Sequence, residues 1–194
     1  MKALTLRPTQ MALGMKEVDY RVKKLEKMKD KEREEYLADR SVPIVIGKDG
    51  CAYIVDHHHL VRSCWEVGIE EVHVNKLADL SHLSLKELWL KMKESNWIYP
   101  FDQLGNGPHD PVHLPENIKG LADDPFRSIA WAVREKGGFT KTSTPFSEFK
   151  WANFFRENLK LHPVLDVFDS TLKEALELAQ SDASKHLPGH VSKK

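Results

Sequence analysis

The sequence predicts an α+β fold, with a small mixed sheet and helices in the N-terminal half and a mostly helical C-terminal half. Short runs rich in β-branched residues lie between residues 42 and 78, and such runs are typical of strands. After residue 120 the apolar residues recur at helical spacing instead. The length of 194 residues fits one domain with at most a small appendage.

The composition is that of an ordinary globular protein, with 41% hydrophobic residues and 29 basic residues balanced by 29 acidic ones. This balance argues against a nonspecific nucleic-acid binder, although a local basic patch stays open. Cys51 and Cys64 show no CxxC spacing and are expected to be reduced, buried thiols. Without an apolar stretch of about 20 residues or the apolar core of a signal peptide, we expect a cytoplasmic protein with no membrane partner.

Periodicity and turn residues predict five elements before residue 96. They are a charged helix over 16–40, a hairpin over 42–56 around the turn "KDG", a helix from the histidines to Gly68, a strand over 71–78 and a helix over 84–95. Ser84 is followed three residues later by Glu87, which predicts a capping box at the start of the last of these helices.

The second half begins with a Pro/Gly-rich stretch, 96–122, which predicts a long irregular loop. Three helices follow, over 123–138, 144–159 and about 170–180, the first two introduced by Asp124-Pro125 and Thr144-Pro145. We therefore expect residues 1–95 to form the α/β core that carries the site, with 123–194 as a helical part packed on that core.

The stretch "YIVDHHHLVRSCWEVG" (53–68) carries most of the chemistry. With Asp56 as N-cap, the backbone N–H groups of the first helical turn point outward at the positive end of the helix dipole, an anion-binding arrangement. The dipole disfavours imidazolium there, so His57, His58 and His59 are expected to be neutral.

Helical spacing places His58 with Arg62 and His59 with Ser63. Imidazoles, a guanidinium and a hydroxyl would then form an exposed rim around the N–H groups, which suits a phosphate. Consecutive histidines diverge by about 100° and fit zinc less well, but Asp56 and one imidazole could hold a divalent ion beside a phosphate. Phosphate binding, metal binding without phosphate, and a purely structural junction all stay open at this point.

Several stretches together resemble one family. They are "LRPTQMALG" (6–14), "VIGKDGCAYIVDHHHLVRS" (45–63), "DDPFRSIAWAVREKGGF" (123–139), "FSEFKWANFFR" (146–156) and "HLPG" (186–189). The elements also follow a characteristic order: a strand, a turn, a strand that ends in Asp, a His-rich turn and a helix that carries an Arg. In these features the chain resembles the ParB/sulfiredoxin superfamily, and more closely its ParB-like nuclease family.

The resemblance implies a small α+β domain whose turn after the second strand binds the phosphates of ATP, ADP or CTP. It places Asp56 to His59 in that turn, and Arg7 and Gln10 of "LRPTQ" within reach of the nucleotide. The chain departs from the pattern in three respects. His57 stands where many relatives have Gly, Leu60 replaces an Arg so that Arg62 is the turn's only guanidinium, and the cysteine of sulfiredoxin is missing.

The leading hypothesis is a metal-dependent phosphohydrolase, an NTPase or a nuclease, that uses Mg²⁺ or Mn²⁺. In it Asp56 positions the metal or acts as a base, His58 and His59 contact phosphate or shuttle protons, and Arg62 neutralises charge, with His57 and Ser63 as further phosphate ligands. The alternatives are a non-catalytic nucleotide- or DNA-binding regulatory module, and an interaction protein whose turn is vestigial.

Overall fold

The structure is a computed structural model that describes residues 1–159 and 168–192, apart from the side chain of Asp49. The chain forms two compact units, Met1–Asp123 and Asp124–Lys194. The first unit combines strands with helices, whereas the elements of the second are helical, so the expected α+β class is confirmed.

The sheet of the first unit has four strands in the order β1-β4-β3-β5. They are β1 (Leu6–Pro8), β3 (Val42–Ile46), β4 (Ala52–Ile54) and β5 (Val74–Asp79). β1 runs parallel to β4, β3 and β4 form the predicted antiparallel hairpin, and β5 is parallel to β3. The sheet is therefore mixed, and the carboxyl ends of β1 and β4 meet at one edge.

Residues 16–40 do not form the single helix predicted from their charge pattern. They form α1 (Met15–Lys27) and α2 (Asp30–Ala38), separated by an extended Met28 with ψ of 140°. A continuous helix would place Leu25 and Leu37 about 18 Å apart, whereas both are buried in the same core cluster. The break lets α2 fold back so that both leucines reach that core.

The sheet has an apolar cluster on each face, as alternation along its strands requires. On one face Leu6, Ile44 and Ile54 pack with residues of α1 and of α3 (His58–Glu66). On the other, Val45 and Tyr53 pack with α4 (Leu85–Glu94). The predicted capping box of Ser84 and Glu87 at the start of α4 is confirmed.

The irregular stretch 96–122 belongs to the first unit and forms hydrogen bonds with the segment that comes after β1. Tyr99 N–H donates to Thr9 O at 2.9 Å, and the two-residue strand β2 (Ala12–Leu13) pairs in parallel with β6 (Ala122–Asp123). Two short 3₁₀ turns, Pro111–His113 and Ile118–Gly120, lie between these contacts. The loop is thereby held at both ends.

The second unit contains α5 (Pro125–Glu135), α6 (Ser147–Asn158) and α7 (Phe168–Ala179). The Asp124 carboxylate caps α5 as predicted, accepting from Phe126 N–H at 2.9 Å. Thr144 was expected to cap α6, but that helix begins later, after Phe146 in the left-handed region at φ 57°. The described helices of both units include none that is long and apolar enough to cross a membrane.

The core of the second unit is built around Trp151, whose ring stacks on Phe139 at 4.3 Å between centroids. Its indole N–H donates to Pro188 O at 2.8 Å. Phe139 also forms an antiparallel bridge with His190. The segment after α7 is thus held through His190, and Lys193 and Lys194 lie outside the described residues.

The two thiols are predicted to react very differently. Cys64 is fully buried, and burial raises the pKa of its thiol to about 12, although Arg21 opposes the shift. Cys51 is partly exposed. An aromatic disulfide that reacts with thiols is expected to modify one cysteine of the native protein at pH 8 and both cysteines after denaturation. The Cys51→Ser variant should be unreactive when folded and Cys64→Ser should react like the parent; equal rates for the two variants would contradict the structure.

Candidate functional site

The histidine turn lies at the edge of the sheet where the parallel strands β1 and β4 end. Pro8 pairs with Ile54, so the residues after each strand, Thr9 and Val55, emerge side by side. The start of β3 lies at the same edge, since Val55 N–H donates to Pro43 O at 2.9 Å. Ligands of open α/β sheets bind at the carboxyl ends of parallel strands, which makes this edge the candidate site.

Asp56 does not cap α3 as predicted. The N-cap residue is His57, in the left-handed conformation at φ 68° and ψ 22°, and the exposed Asp56 carboxylate accepts from His57 N–H at 2.7 Å instead. The left-handed turn uses one more residue between the strand and the helix than the prediction allowed. Glycine adopts this conformation without strain, whereas the Cβ of His57 makes it unfavourable.

The first turn of α3 has no side-chain cap, because His57 makes no capping hydrogen bond. The first intrahelical bond runs from Val61 N–H to His57 O at 3.0 Å, so the N–H groups of His58, His59 and Leu60 precede the helical ladder. These groups carry the positive end of the helix dipole. The feature that favours an anion is therefore present at the strand edge.

His58 is buried, with only 1% of its surface exposed, so it does not lie on an exposed rim as predicted. Its Nε2 accepts from Thr9 N–H at 3.1 Å, and Thr9 Oγ1 donates to Ile54 O at 2.6 Å. Because Nε2 accepts, a neutral ring carries its proton on Nδ1.

The Nδ1 atom of His58 faces the amide of Gln10, whose Nε2 lies 3.1 Å away. The oxygen and the NH2 group of a carboxamide have nearly the same size and exchange places when the group turns over, so a protonated Nδ1 requires the Gln10 oxygen to face it. Both nitrogens of His58 are then used within the fold, and the ring connects the segment after β1 to the start of α3.

His59 makes a second connection of the same kind. Its Nε2 accepts from Gly14 N–H at 3.2 Å, and Glu17 Oε2 lies 3.5 Å from the same nitrogen. The buried Glu17 also accepts from Arg21 at 2.7 and 3.0 Å. Burial lowers the pKa of Arg21, but Glu17 and Tyr36 outweigh this effect and raise it above its ordinary value. His59 therefore joins α3 to Gly14 at the start of α1, beside the Glu17–Arg21 ion pair.

Ser63 and Arg62 also differ from the prediction of an exposed phosphate rim. Ser63 is fully buried, and its hydroxyl donates to His59 O at 2.7 Å, since a helical serine reaches the carbonyl one turn back. Arg62 Nε donates to Glu66 at 2.7 Å, and its Nη1 donates to Ile118 O at 3.3 Å. Glu66 lies four residues on and draws the guanidinium away from the turn, so Arg62 braces the loop instead.

The remaining site residues lie on or just after β1. Arg7 is exposed on that edge strand, and Gln10, which follows it, is brought to His58. Sequence reasoning missed Thr9, Gly14 and Glu17, because nothing in their local pattern indicates a contact some 45 residues away. The weak signal available was Glu17 at an otherwise apolar, core-facing position of α1.

Metal ligands are sparse at this edge. Within residues 1–159 and 168–192, no three or more His, Cys, Asp and Glu side chains are grouped to hold a metal ion. The Asp56 carboxylate is nevertheless exposed, and Mg²⁺ is commonly held by one or two carboxylates together with substrate phosphates. The donor set fits a hard cation that arrives with a phosphate and does not fit a closed zinc site.

Comparison with known proteins places the chain in a family. Residues 1–157 match the family described as "Putative ParB-like nuclease", and the chain belongs to this ParB-like family. The fold and the sequence are also similar to those of a solved structure, the crystal structure of protein Atu1540 from Agrobacterium tumefaciens. The two are 40% identical with a TM-score of 0.92, over 100% of this chain and 96% of that one. No curated protein sequence matches the chain.

The left-handed conformation of His57 generates a stability prediction. Replacement by glycine removes the Cβ strain, whereas replacement by alanine keeps it, and both remove the same contact between the ring and Arg40 O. The His57→Gly protein should therefore be more stable than His57→Ala by about 1 kcal/mol, measured by urea unfolding. Equal stability of the two variants would contradict the backbone geometry.

The burial of His58 generates a second prediction. The His58→Ala variant leaves Thr9 N–H without its acceptor in the core and should lose about 2–4 kcal/mol of unfolding free energy. In His58→Gln the side-chain oxygen can occupy the position of Nε2 and should restore more than half of that loss. A His58→Ala protein as stable as the parent in urea would refute this structural role.

Proposed function

We propose that the turn from Asp56 to His59 binds the phosphate group of a nucleotide at the N-terminus of α3, and that the protein is a metal-dependent phosphohydrolase, an NTPase or a nuclease. Membership of a ParB-like nuclease family points to nucleic-acid or nucleotide chemistry. The observation that carries the proposal is the uncapped start of α3 at the carboxyl edge of β1 and β4. We assign the sheet with α3 to a ParB/sulfiredoxin-like core on the same grounds.

The geometry divides the turn into two pairs of side chains. Asp56 is exposed and His57 is partly exposed, so these two can contact a bound phosphate or its metal. His58 and His59 accept hydrogen bonds from the backbone of the segment 9–14. We propose that they position the helix start, a role that replaces the proton transfer expected from the sequence.

The proposed cofactor is Mg²⁺ or Mn²⁺, introduced with ATP, ADP or CTP, or with a nucleic-acid phosphate. Such a cation would neutralise charge on the phosphate oxygens during displacement. The Asp56 carboxylate is the residue that would hold it, and the backbone N–H groups of α3 would orient the phosphate. Arg62 is bonded to Glu66, and our proposal assigns it no part in charge neutralisation.

A second candidate is a nucleotide- or DNA-binding module without catalysis. The sparse metal ligands favour it, because the one exposed carboxylate of the turn offers little support for a fixed cation. This candidate shares the phosphate site and differs in that no product is released. Turnover assays with each nucleotide that binds separate the two.

Thermal unfolding against nucleoside di- and triphosphates, with and without Mg²⁺, tests the proposal. A nucleotide at 100 times its Kd adds about 2.7 kcal/mol of stability. His57→Glu places a negative charge at the helix start and should abolish the Tm shift, while the neutral His57→Gln should retain it. Asp56→Asn should lose only the Mg²⁺-dependent part, and Asp19→Asn, an exposed change on α1, should lose nothing. Equal shifts in His57→Glu and His57→Gln would sink the assignment.

A further inference from the structure

Two cations contact the ring of Tyr36 on α2, one from α1 and one from the residues after α2. The Lys24 ammonium lies 4.7 Å and the Arg40 guanidinium 4.0 Å from the centroid of its ring. Cation–π attraction holds such a group together, but it does not neutralise the charges. The Lys24–Tyr36–Arg40 cluster thus places two exposed cations on one aromatic ring.

Two cations of the cluster lack an acidic partner. Of the eight arginines in the chain, six lie within 4 Å of a carboxylate, as the ion pairs of Arg21, Arg33, Arg62, Arg127, Arg134 and Arg156 show. Arg40 and Lys24 have no carboxylate in the described part of the chain within that distance. Three of the four carboxylates of the adjacent α2 pair elsewhere, Asp30 with Arg33, Glu34 with His73 and Glu35 with Lys31. Glu32 and the neighbouring Asp39 also lie more than 4 Å from both cations.

The cluster adjoins the candidate phosphate site. Arg40 O lies 3.3 Å from Nδ1 of His57, and residue 40 leads into β3 beside the end of β4. Lys24 contacts the same Tyr36 ring from α1. Arg40, whose backbone contacts the histidine turn, and Lys24 of α1 therefore lie on one ring, close to the start of α3.

One turn before Lys24, Tyr20 exposes 52% of its surface on the same side of α1. Exposed aromatic rings beside cations are the pattern by which proteins bind single-stranded nucleic acid, with bases on the rings and phosphates on the cations. A lipid surface would call for several exposed apolar side chains. The solvent-facing residues of α1 are Lys16, Asp19, Tyr20, Lys23, Lys24, Glu26 and Lys27, among which Tyr20 is the one large ring.

We infer that the Lys24–Tyr36–Arg40 cluster with Tyr20 binds the strand of a single-stranded nucleic acid, one phosphate of which occupies the histidine turn. The inference rests on the proposed phosphate site and extends it from a single phosphate group to a polymer. Lys24 and Arg40 contact successive phosphates, and Tyr20 stacks on a base. The surface explains why cations remain unpaired beside a site that binds phosphate.

The test is fluorescence anisotropy of a labelled oligothymidylate of about 12 nucleotides, with the full chain in EDTA so that no hydrolysis occurs. Lys24→Gln/Arg40→Gln should raise Kd roughly tenfold and lower the slope of log Kd against log salt by about 1.4, the value for two lost phosphate contacts on a single strand. The charge-matched control Lys86→Gln/Lys91→Gln, two exposed changes on α4, should bind like the parent. Tyr20→Ala should weaken binding without changing the slope.

Equal oligonucleotide affinity of the two double variants would overturn the inference. It would also be overturned if binding to anionic vesicles required Lys24 and Arg40 while binding to the oligonucleotide did not. The nucleotide-induced Tm shift distinguishes this failure from failure of the proposed function. The substitutions keep the Arg40 carbonyl that contacts His57, so the shift should persist in Lys24→Gln/Arg40→Gln. If nucleotide raises the Tm of the parent protein but the oligonucleotide does not bind, the proposed phosphate site stands and the proposed strand-binding surface is wrong.

Discussion

The structure of the site depends on one buried hydrogen bond, from Thr9 N–H to Nε2 of His58 at 3.1 Å. It joins the residue after β1 to the first residue of α3, two segments almost 50 positions apart in the sequence. An unpaired N–H group in this core would cost about 1–3 kcal/mol, so the histidine fixes where the helix begins. With the second bond from Gly14 N–H to His59, the helix start is held from one side and stays uncapped on the other.

This division explains how three adjacent histidines serve different purposes. Consecutive helical residues diverge by about 100°, and His58 and His59 use this difference to reach two separate segments, at Thr9 and at Gly14. His57 precedes the helix and remains partly exposed. A buried imidazole that accepts from the backbone is an effective positioning group, because it holds rigid elements together without exposing a charge. An anion site formed by backbone N–H groups then needs few exposed side chains, which agrees with the small number found around the turn.

Much of the fold could be predicted because its signals are local. The hairpin over 42–56, the capping box at Ser84, the end of α3 before Gly68 and the cap of α5 each depend on residues within a few positions of one another. The break at Met28 and the burial of Ser63 follow from packing against distant segments, which no local pattern records. The same holds for the site, where the histidines were found from the sequence but their partners Thr9, Gly14 and Glu17 were not.

The central claim is that His58 positions the helix start and takes no part in proton transfer. NMR correlation of the histidine ring nitrogens with their carbon-bound protons, recorded with and without Mg²⁺ and nucleotide, tests it most directly. We expect a neutral His58 with its proton on Nδ1 in both states, while the backbone amides from His58 to Leu60 shift on binding. A change in the protonation or tautomer of His58 when nucleotide binds would contradict it.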